Sequence, residues 1–112
     1  MIFKTESGLI DISPNVFAKI AGYATSNCFG VKKICPPSVL ENFAALGKAR
    51  KGVQVLCKED SVDIELRIAM VNGVNMQEVC RSIRSEVSYL VEKYTGVKVS
   101  DVRIFVDSVA TH

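Results

Sequence analysis

Two neighbouring segments in which apolar and polar residues alternate restrict the fold more than any other part of the sequence. They cover residues 53–57 and 62–71, with a short polar turn at Glu59 and Asp60 between them. A period of two is typical of strands with one buried side and one solvent-facing side. The pattern predicts a β-hairpin whose buried face carries Val53, Val55, Cys57, Val62, Ile64, Leu66, Ile68 and Met70.

Two segments with helical periodicity flank this hairpin. The first begins at Ser13 and Pro14, a capping residue followed by a proline that suits the first helical position, and Gly30 is its expected terminator. The second begins at Asn75, with Glu78 placed to complete a capping box, and ends at a Thr-Gly step. Their apolar sides carry Val16, Phe17, Ile20, Ala21, Ala24 and Cys28 in the first helix, and Met76, Val79, Cys80, Ile83, Val87, Leu90, Val91 and Tyr94 in the second.

Three shorter apolar segments supply the remaining strands. Residues 8–13 precede the first helix, residues 31–34 form an edge strand after it, and a last strand follows the second helix. The two sides of that last strand carry Val102, Ile104 and Val106 on one face, and Arg103, Phe105 and Asp107 on the other. Residues 38–51 fit either a short helix or an ordered loop.

The order strand, helix, short strand, hairpin, helix, strand predicts an α+β protein. Because the sheet has one apolar face and both helices are amphipathic, we expect a two-layer sandwich, with two main helices on one face of a small mixed or antiparallel sheet. The chain has 112 residues, of which 48% are hydrophobic. This length and composition fit a single domain over residues 1–112.

Charge and hydropathy argue against several classes of protein. A net charge of +2 is too small to indicate, by itself, binding to nucleic acid or to an anionic membrane. The sequence has no signal-peptide pattern, and its apolar runs are far shorter than the roughly 20 residues of a membrane helix. We therefore expect a cytoplasmic protein without direct membrane insertion, in which the four cysteines are reduced.

Little in the sequence indicates catalysis. The single histidine, His112, is the last residue, so a histidine-based nucleophile or general base is not expected. The segment GKAR lacks the spacing of a phosphate-binding loop. Asp63 and Glu65 share the solvent-facing side of one strand, roughly 7 Å apart by strand rise, but an exposed hairpin lacks the surroundings that an acid–base pair needs. The sequence predicts no enzyme, no catalytic residue and no cofactor.

The four cysteines fit a metal site, a redox pair or small core residues. Cys28 and Cys35 are seven positions apart, outside the usual spacing of paired zinc ligands, and the other two are isolated. Cys28, Cys57 and Cys80 lie on the predicted apolar sides, which favours a structural role over a metal site. Cys35 has no predicted place in the core, and its role stays open.

The solvent-facing side of the predicted sheet is not uniformly polar. Aromatic and arginine side chains are favoured at protein contacts, although a single exposed apolar residue is ordinary on any surface. An exposed edge strand is a second route to a partner or to another copy. The candidate interaction surface consists of Leu56, Arg67, Val71, Arg103 and Phe105.

The alternative function is a small nucleic-acid-binding module. Sheets of α+β proteins can stack bases on exposed aromatic residues, and Phe105 with Arg67, Arg103 and the basic loop 48–51 would serve. The small net charge and the lack of paired aromatic residues argue against this alternative, and a short basic run is more typical of a solvated loop. Nucleic acid is therefore not the expected partner.

Several motifs, taken in order, resemble those of the alkaline shock protein family, the envelope-stress-response proteins of Gram-positive bacteria. They are G-x-I-x-I-S at the start, a first helix followed by Gly-Val, K-G-V-x-V, V-x-I-x-L-x-I-x-x-x-N-G, and Y-x-G-V-x-V-x-x-V-x-I-x-V at the end. The resemblance covers residues 8–34 and 51–109, and the intervening segment with Pro36 and Pro37 departs from the pattern.

The resemblance implies a protein that acts by association. It carries over no catalytic residue, and it implies self-association into a homo-oligomer together with protein partners. Some members gather at the inner membrane face through a small membrane-anchored protein, and short members are linked to a fatty-acid-kinase-like protein. The expectation for this chain is a non-enzymatic cytoplasmic protein of envelope stress or homeostasis, peripheral at the membrane only through a partner.

Overall fold

A computed structural model describes residues 2–34, 49–50 and 52–110. Its elements are β1 (Ile2–Thr5), β2 (Gly8–Asp11), α1 (Pro14–Ser26), β3 (Val31–Ile34), β4 (Ala49–Arg50), β5 (Val53–Cys57), β6 (Ser61–Val71), α2 (Met76–Thr95) and β7 (Lys98–Ala110). The prediction for Cys35 and most of the prediction for residues 38–51 lie outside the described residues. Ala49–Arg50, predicted to lie in a helix or loop, instead form β4. The α+β class is confirmed.

β6 is the central strand of the main sheet. Along one edge it pairs with β7 in parallel, from Ser61 opposite Lys98 to Val71 opposite Ala110. β5 and β3 therefore share its other edge, where both pair antiparallel: β5 lies opposite residues 62–66 and β3 opposite residues 68–70. β4 continues the sheet beyond β5. The sheet is therefore mixed, which is one of the two predicted alternatives.

The alternating pattern of the predicted hairpin is confirmed. The residues of β6 that face the helices are fully buried: Val62, Ile64, Leu66, Ile68 and Met70. They pack in one cluster with buried residues of both helices, including Phe17, Ala21, Ile83, Val87 and Val91. Both helices therefore cover the same face of the sheet.

The predicted starts of both helices are confirmed, while their predicted apolar sides are wrong at three residues. The Ser13 Oγ accepts from the Asn15 N–H at 3.3 Å, and the Asn75 Oδ1 accepts from the Glu78 N–H at 3.1 Å. The Glu78 carboxylate pairs with Arg81 at 2.8 Å. Three predicted core residues are exposed, because they lie in the first or last turn of a helix, where neighbours are fewer: Val16, Met76 and Tyr94.

A small hairpin precedes α1, where the sequence pattern predicts a single strand. β1 pairs antiparallel with β2, from Ile2 opposite Asp11 to Thr5 opposite Gly8. The Phe3 side chain is fully buried and meets the Phe17 ring of α1 edge-on, with the ring centroids 5.2 Å apart. Phe3 therefore packs the β1–β2 hairpin against the core.

The prediction that Gly30 ends the first helix is wrong, because α1 is already capped at Asn27. α1 ends at Ser26, and Gly30 lies in the following turn with a φ of +93°. A Cβ at this position would lie 2.8 Å from Val79 Cγ2 in the first turn of α2. Glycine is needed here both for the backbone conformation and for the close approach of α2.

Candidate interaction surface

The sheet face opposite the helices is built from β5, β6 and β7 and is called the open face. Cross-strand register aligns its side chains in rows. Leu56, Asp63 and Asp101 form the first row, Gln54, Glu65 and Arg103 the second, and Arg67 and Phe105 the third. Further along β6, Ala69 and Val71 complete the open face. Ala69 is buried despite this position.

Arg67 and Phe105 form a cation–π contact on the open face. The Arg67 guanidinium carbon lies 5.8 Å from the centroid of the Phe105 ring, which is a cation–π distance. Phe105 remains 47% exposed, and Arg67 is half-buried. The pair presents an aromatic surface next to a positioned cation, as expected of a protein contact.

The structure groups four of the five candidate residues and separates the fifth. Arg103 lies two residues before Phe105 on β7, and Leu56, on β5, is 62% exposed. Between them is a shallow depression of about 140 Å³, lined by Gln54, Leu56, Asp63, Ile64, Glu65 and Arg103. Val71 is the separated residue: it lies four residues beyond Arg67 along β6, and its side chain is half-buried.

Asp63 is the best-connected charged residue of the open face. Its Oδ1 accepts a short hydrogen bond from the Ser100 hydroxyl, and its Oδ2 lies 3.1 Å from Lys58 Nζ. The Ser100 hydroxyl, then Lys58 and the nearby Arg103, hold the Asp63 pKa below its ordinary value against a smaller opposing effect of burial. An ionised, paired carboxylate of this kind suits a structural role rather than proton transfer.

Ser100 is a partner of Asp63 that the alternation of apolar residues does not predict. The β6–β7 register shifts between Val62 and Asp63, so that Val99 and Asp101 are their partners and Ser100 is the extra residue. No pattern in the sequence marks this irregularity. A second contact pairs the Arg103 Nε with an Asp101 carboxylate oxygen at 3.4 Å.

The three described cysteines are free thiols in or beside the core. Cys28 donates from Sγ to the Ala24 carbonyl at 3.3 Å, and burial raises its pKa. Burial also raises the pKa of Cys57, and Cys57 and Cys80 both pack against the core cluster. Their predicted apolar locations are confirmed. Within residues 2–34, 49–50 and 52–110, no group of three metal-ligating side chains is found.

A second exposed aromatic cluster lies on α2, remote from the predicted surface. The Lys93 Nζ lies 5.7 Å from the Tyr89 ring centroid and 5.6 Å from that of Tyr94. This cluster was not predicted, because the helical periodicity places Tyr94 on the apolar side of the helix. In the described part of the chain, no helix is both long and apolar enough to cross a membrane.

Comparison with known proteins identifies the family. The profile of the alkaline shock protein 23 family, described as having a cell envelope-related function, matches residues 3–111. The chain belongs to this family.

Proteins of similar sequence are found in two Gram-positive bacteria. YloU of Bacillus subtilis (strain 168), described as an uncharacterized protein, is 29% identical over 95% of this chain and 92% of its own length. Spy1535 of Streptococcus pyogenes serotype M6, also described as uncharacterized, is 32% identical over 91% of this chain and 79% of its own length.

A solved structure shares the fold. A zinc form of the MamM C-terminal domain has a TM-score of 0.54 and 9% sequence identity, over 88% of this chain and 85% of that one. At this identity, the likeness concerns the fold alone.

Proposed function

We propose that this protein is a non-enzymatic interaction protein that serves its envelope-related role by self-association and by binding protein partners through the open face. The observation that carries the proposal is the exposed Phe105 ring, in cation–π contact with Arg67 and two residues from Arg103, on a face that neither described helix covers. Aromatic and arginine residues dominate binding energy at protein contacts.

The arrangement reduces the entropic cost of binding. A free arginine loses much side-chain freedom when a partner orders it. Here the Phe105 ring already orients the Arg67 guanidinium, while the ring itself has only two side-chain torsions. The depression beside Arg103 offers a second point of contact, bounded by the apolar Leu56 and by the carboxylates of Asp63 and Glu65. A complementary partner would present an apolar anchor beside basic and acidic groups.

The resemblance of the sequence indicates the kinds of partner to test first. We propose a small membrane-anchored protein, which would bring this cytoplasmic chain to the inner membrane face, and a fatty-acid-kinase-like protein. Val71 lies apart from the other four candidate residues, so we assign it to the periphery of the candidate surface.

The test is affinity capture from the native cell, with membrane and soluble fractions analysed separately and the captured proteins identified by mass spectrometry. We expect Phe105→Ala to reduce capture of the specific partners on the order of tenfold or more. Tyr89→Ala is the matched control, since it removes an aromatic ring of similar exposure from α2. Equal capture by wild type and Phe105→Ala would contradict the proposal, and a gel shift with RNA or DNA at low salt would favour the nucleic-acid alternative.

A further inference from the structure

The outer edge of β7 is a long strand edge without a partner among the described residues. β7 covers 13 residues, from Lys98 to Ala110, and in the described part of the chain it pairs only with β6. A strand edge carries unpaired backbone donors and acceptors and can pair with a strand of another chain. We propose that β7 pairs antiparallel with β7 of a second copy, about a two-fold axis beside Phe105.

The charged side chains of β7 favour the register centred on Phe105. Antiparallel strands in one continuous sheet place open-face residues opposite one another. With the axis beside Phe105, Arg103 of each copy lies opposite Asp107 of the other, which gives two attractive pairs. They lie at the end of the regular part of β7, because Asp107 is the extra residue where the β6–β7 register shifts between Ile68 and Ala69. With the axis beside Arg103, the two arginines would oppose each other, and with the axis beside Ile104, Asp101 would oppose Asp107. Like charges directly opposite are destabilising.

One other register would pair opposite charges, and the structure disfavours it. An axis beside Val102 would place Asp101 opposite Arg103 of the second copy. However, the Arg84 Nε already donates to the Val102 carbonyl at 3.2 Å, so a side chain of α2 occupies a backbone acceptor at the centre of that register. In the favoured register, Val102 lies three residues from the axis.

Charged residues on an edge strand commonly prevent pairing. Charges of one sign would prevent every register, whereas the alternation of Asp101, Arg103 and Asp107 opposes some registers and favours another. In the favoured register the two Phe105 rings are opposite each other, and aromatic cross-strand pairs are stabilising. The two open faces then form one continuous surface.

This inference rests on the self-association in the proposed function, and it specifies the surface. The test is sedimentation velocity of the full chain over a wide range of concentrations. Arg103→Glu and Asp107→Arg each convert two attractive pairs into two repulsive ones, so each is expected to raise the dimer dissociation constant on the order of thirty-fold. The double variant R103E/D107R restores opposite charges and should regain the dimer.

Two controls separate pairing from folding and from charge alone. Lys19→Glu makes a charge change like that of Arg103→Glu on α1, which packs over β3 and β5, and should dimerise like wild type. Thermal melting checks that each single variant is folded. A wild-type chain that stays monomeric, single variants that dimerise like wild type, or a folded double variant that fails to dimerise would overturn the inference.

Failure of this inference can be distinguished from failure of the wider function. Asp107 lies outside the candidate interaction surface, so Asp107→Arg should lose the dimer but keep the partner capture that depends on Phe105. Loss of the dimer in Asp107→Arg together with recovery in the double variant supports the β7 interface, whatever the capture experiment shows.

Discussion

The two faces of β6 are made by one strand and follow different physical rules. The face toward the helices carries Ile64, Leu66 and Ile68, which are fully buried. The open face carries Asp63, Glu65 and Arg67, which are half-buried and cross-paired to β5 and β7. The first face is specified by removal of apolar surface from water, and the second by pairing of charged and aromatic groups. Stability is therefore expected to depend on the first face and association on the second.

The sharpest test of this difference uses the same substitution on both faces. Leu66→Ala removes a fully buried side chain and is expected to lower the free energy of unfolding by about 3 kcal/mol. Leu56→Ala removes a side chain that is 62% exposed on the open face and should change it by about 0.5 kcal/mol or less. Urea denaturation of both variants measures the difference, and equal losses would mean that the open face is covered in the free protein.

A second test adds an atom rather than removing atoms. Gly30 and Gly73 have nearly equal φ values of +93° and +94°, so alanine is strained at both positions. At Gly30 the new Cβ also meets Val79 Cγ2 at 2.8 Å, whereas at Gly73 nothing lies within 4 Å. Gly30→Ala should therefore be less stable than Gly73→Ala by about 1–2 kcal/mol. Chemical denaturation of the pair checks this, and equal stabilities would show that α2 moves away at little cost.

The sequence predicts the covered face better than the open face. The period of residues 62–71 is enough to assign Leu66 to the core, because burial depends on the alternation and not on the partner strand. By contrast, the Arg67–Phe105 stack depends on the parallel register of β6 with β7, which local patterns do not specify. The hairpin with Phe3 is missed for the same reason, since its stability comes from the contact with Phe17.

The register irregularity at Ser100 explains why the lowered pKa of Asp63 was not predictable. A strict alternation from Val102 backwards would place Ser100 on the covered face, away from Asp63. The extra residue instead brings its hydroxyl to the Asp63 carboxylate. An extra residue of this kind changes which side chains are in contact across the two strands. Neither the composition of the strand nor its alternation of apolar residues reveals it.

The smallest expected effect concerns this carboxylate and is visible in its pH dependence. The Asp63 pKa is lower in the folded chain than in the unfolded chain, so its pairing stabilises the fold above the ordinary pKa of about 3.9 and is lost as the pH falls through the folded value. Asp63→Asn should therefore cost about 1 kcal/mol or less at pH 7, and the gap to wild type should close in acid. Asp101→Asn, which breaks a more exposed pair at 3.4 Å, should cost less at pH 7. Denaturation at pH 7 and below pH 4 measures both variants, and a gap for Asp63→Asn that persists in acid would mean that the charge of Asp63 is not what stabilises the junction of β6 with β7.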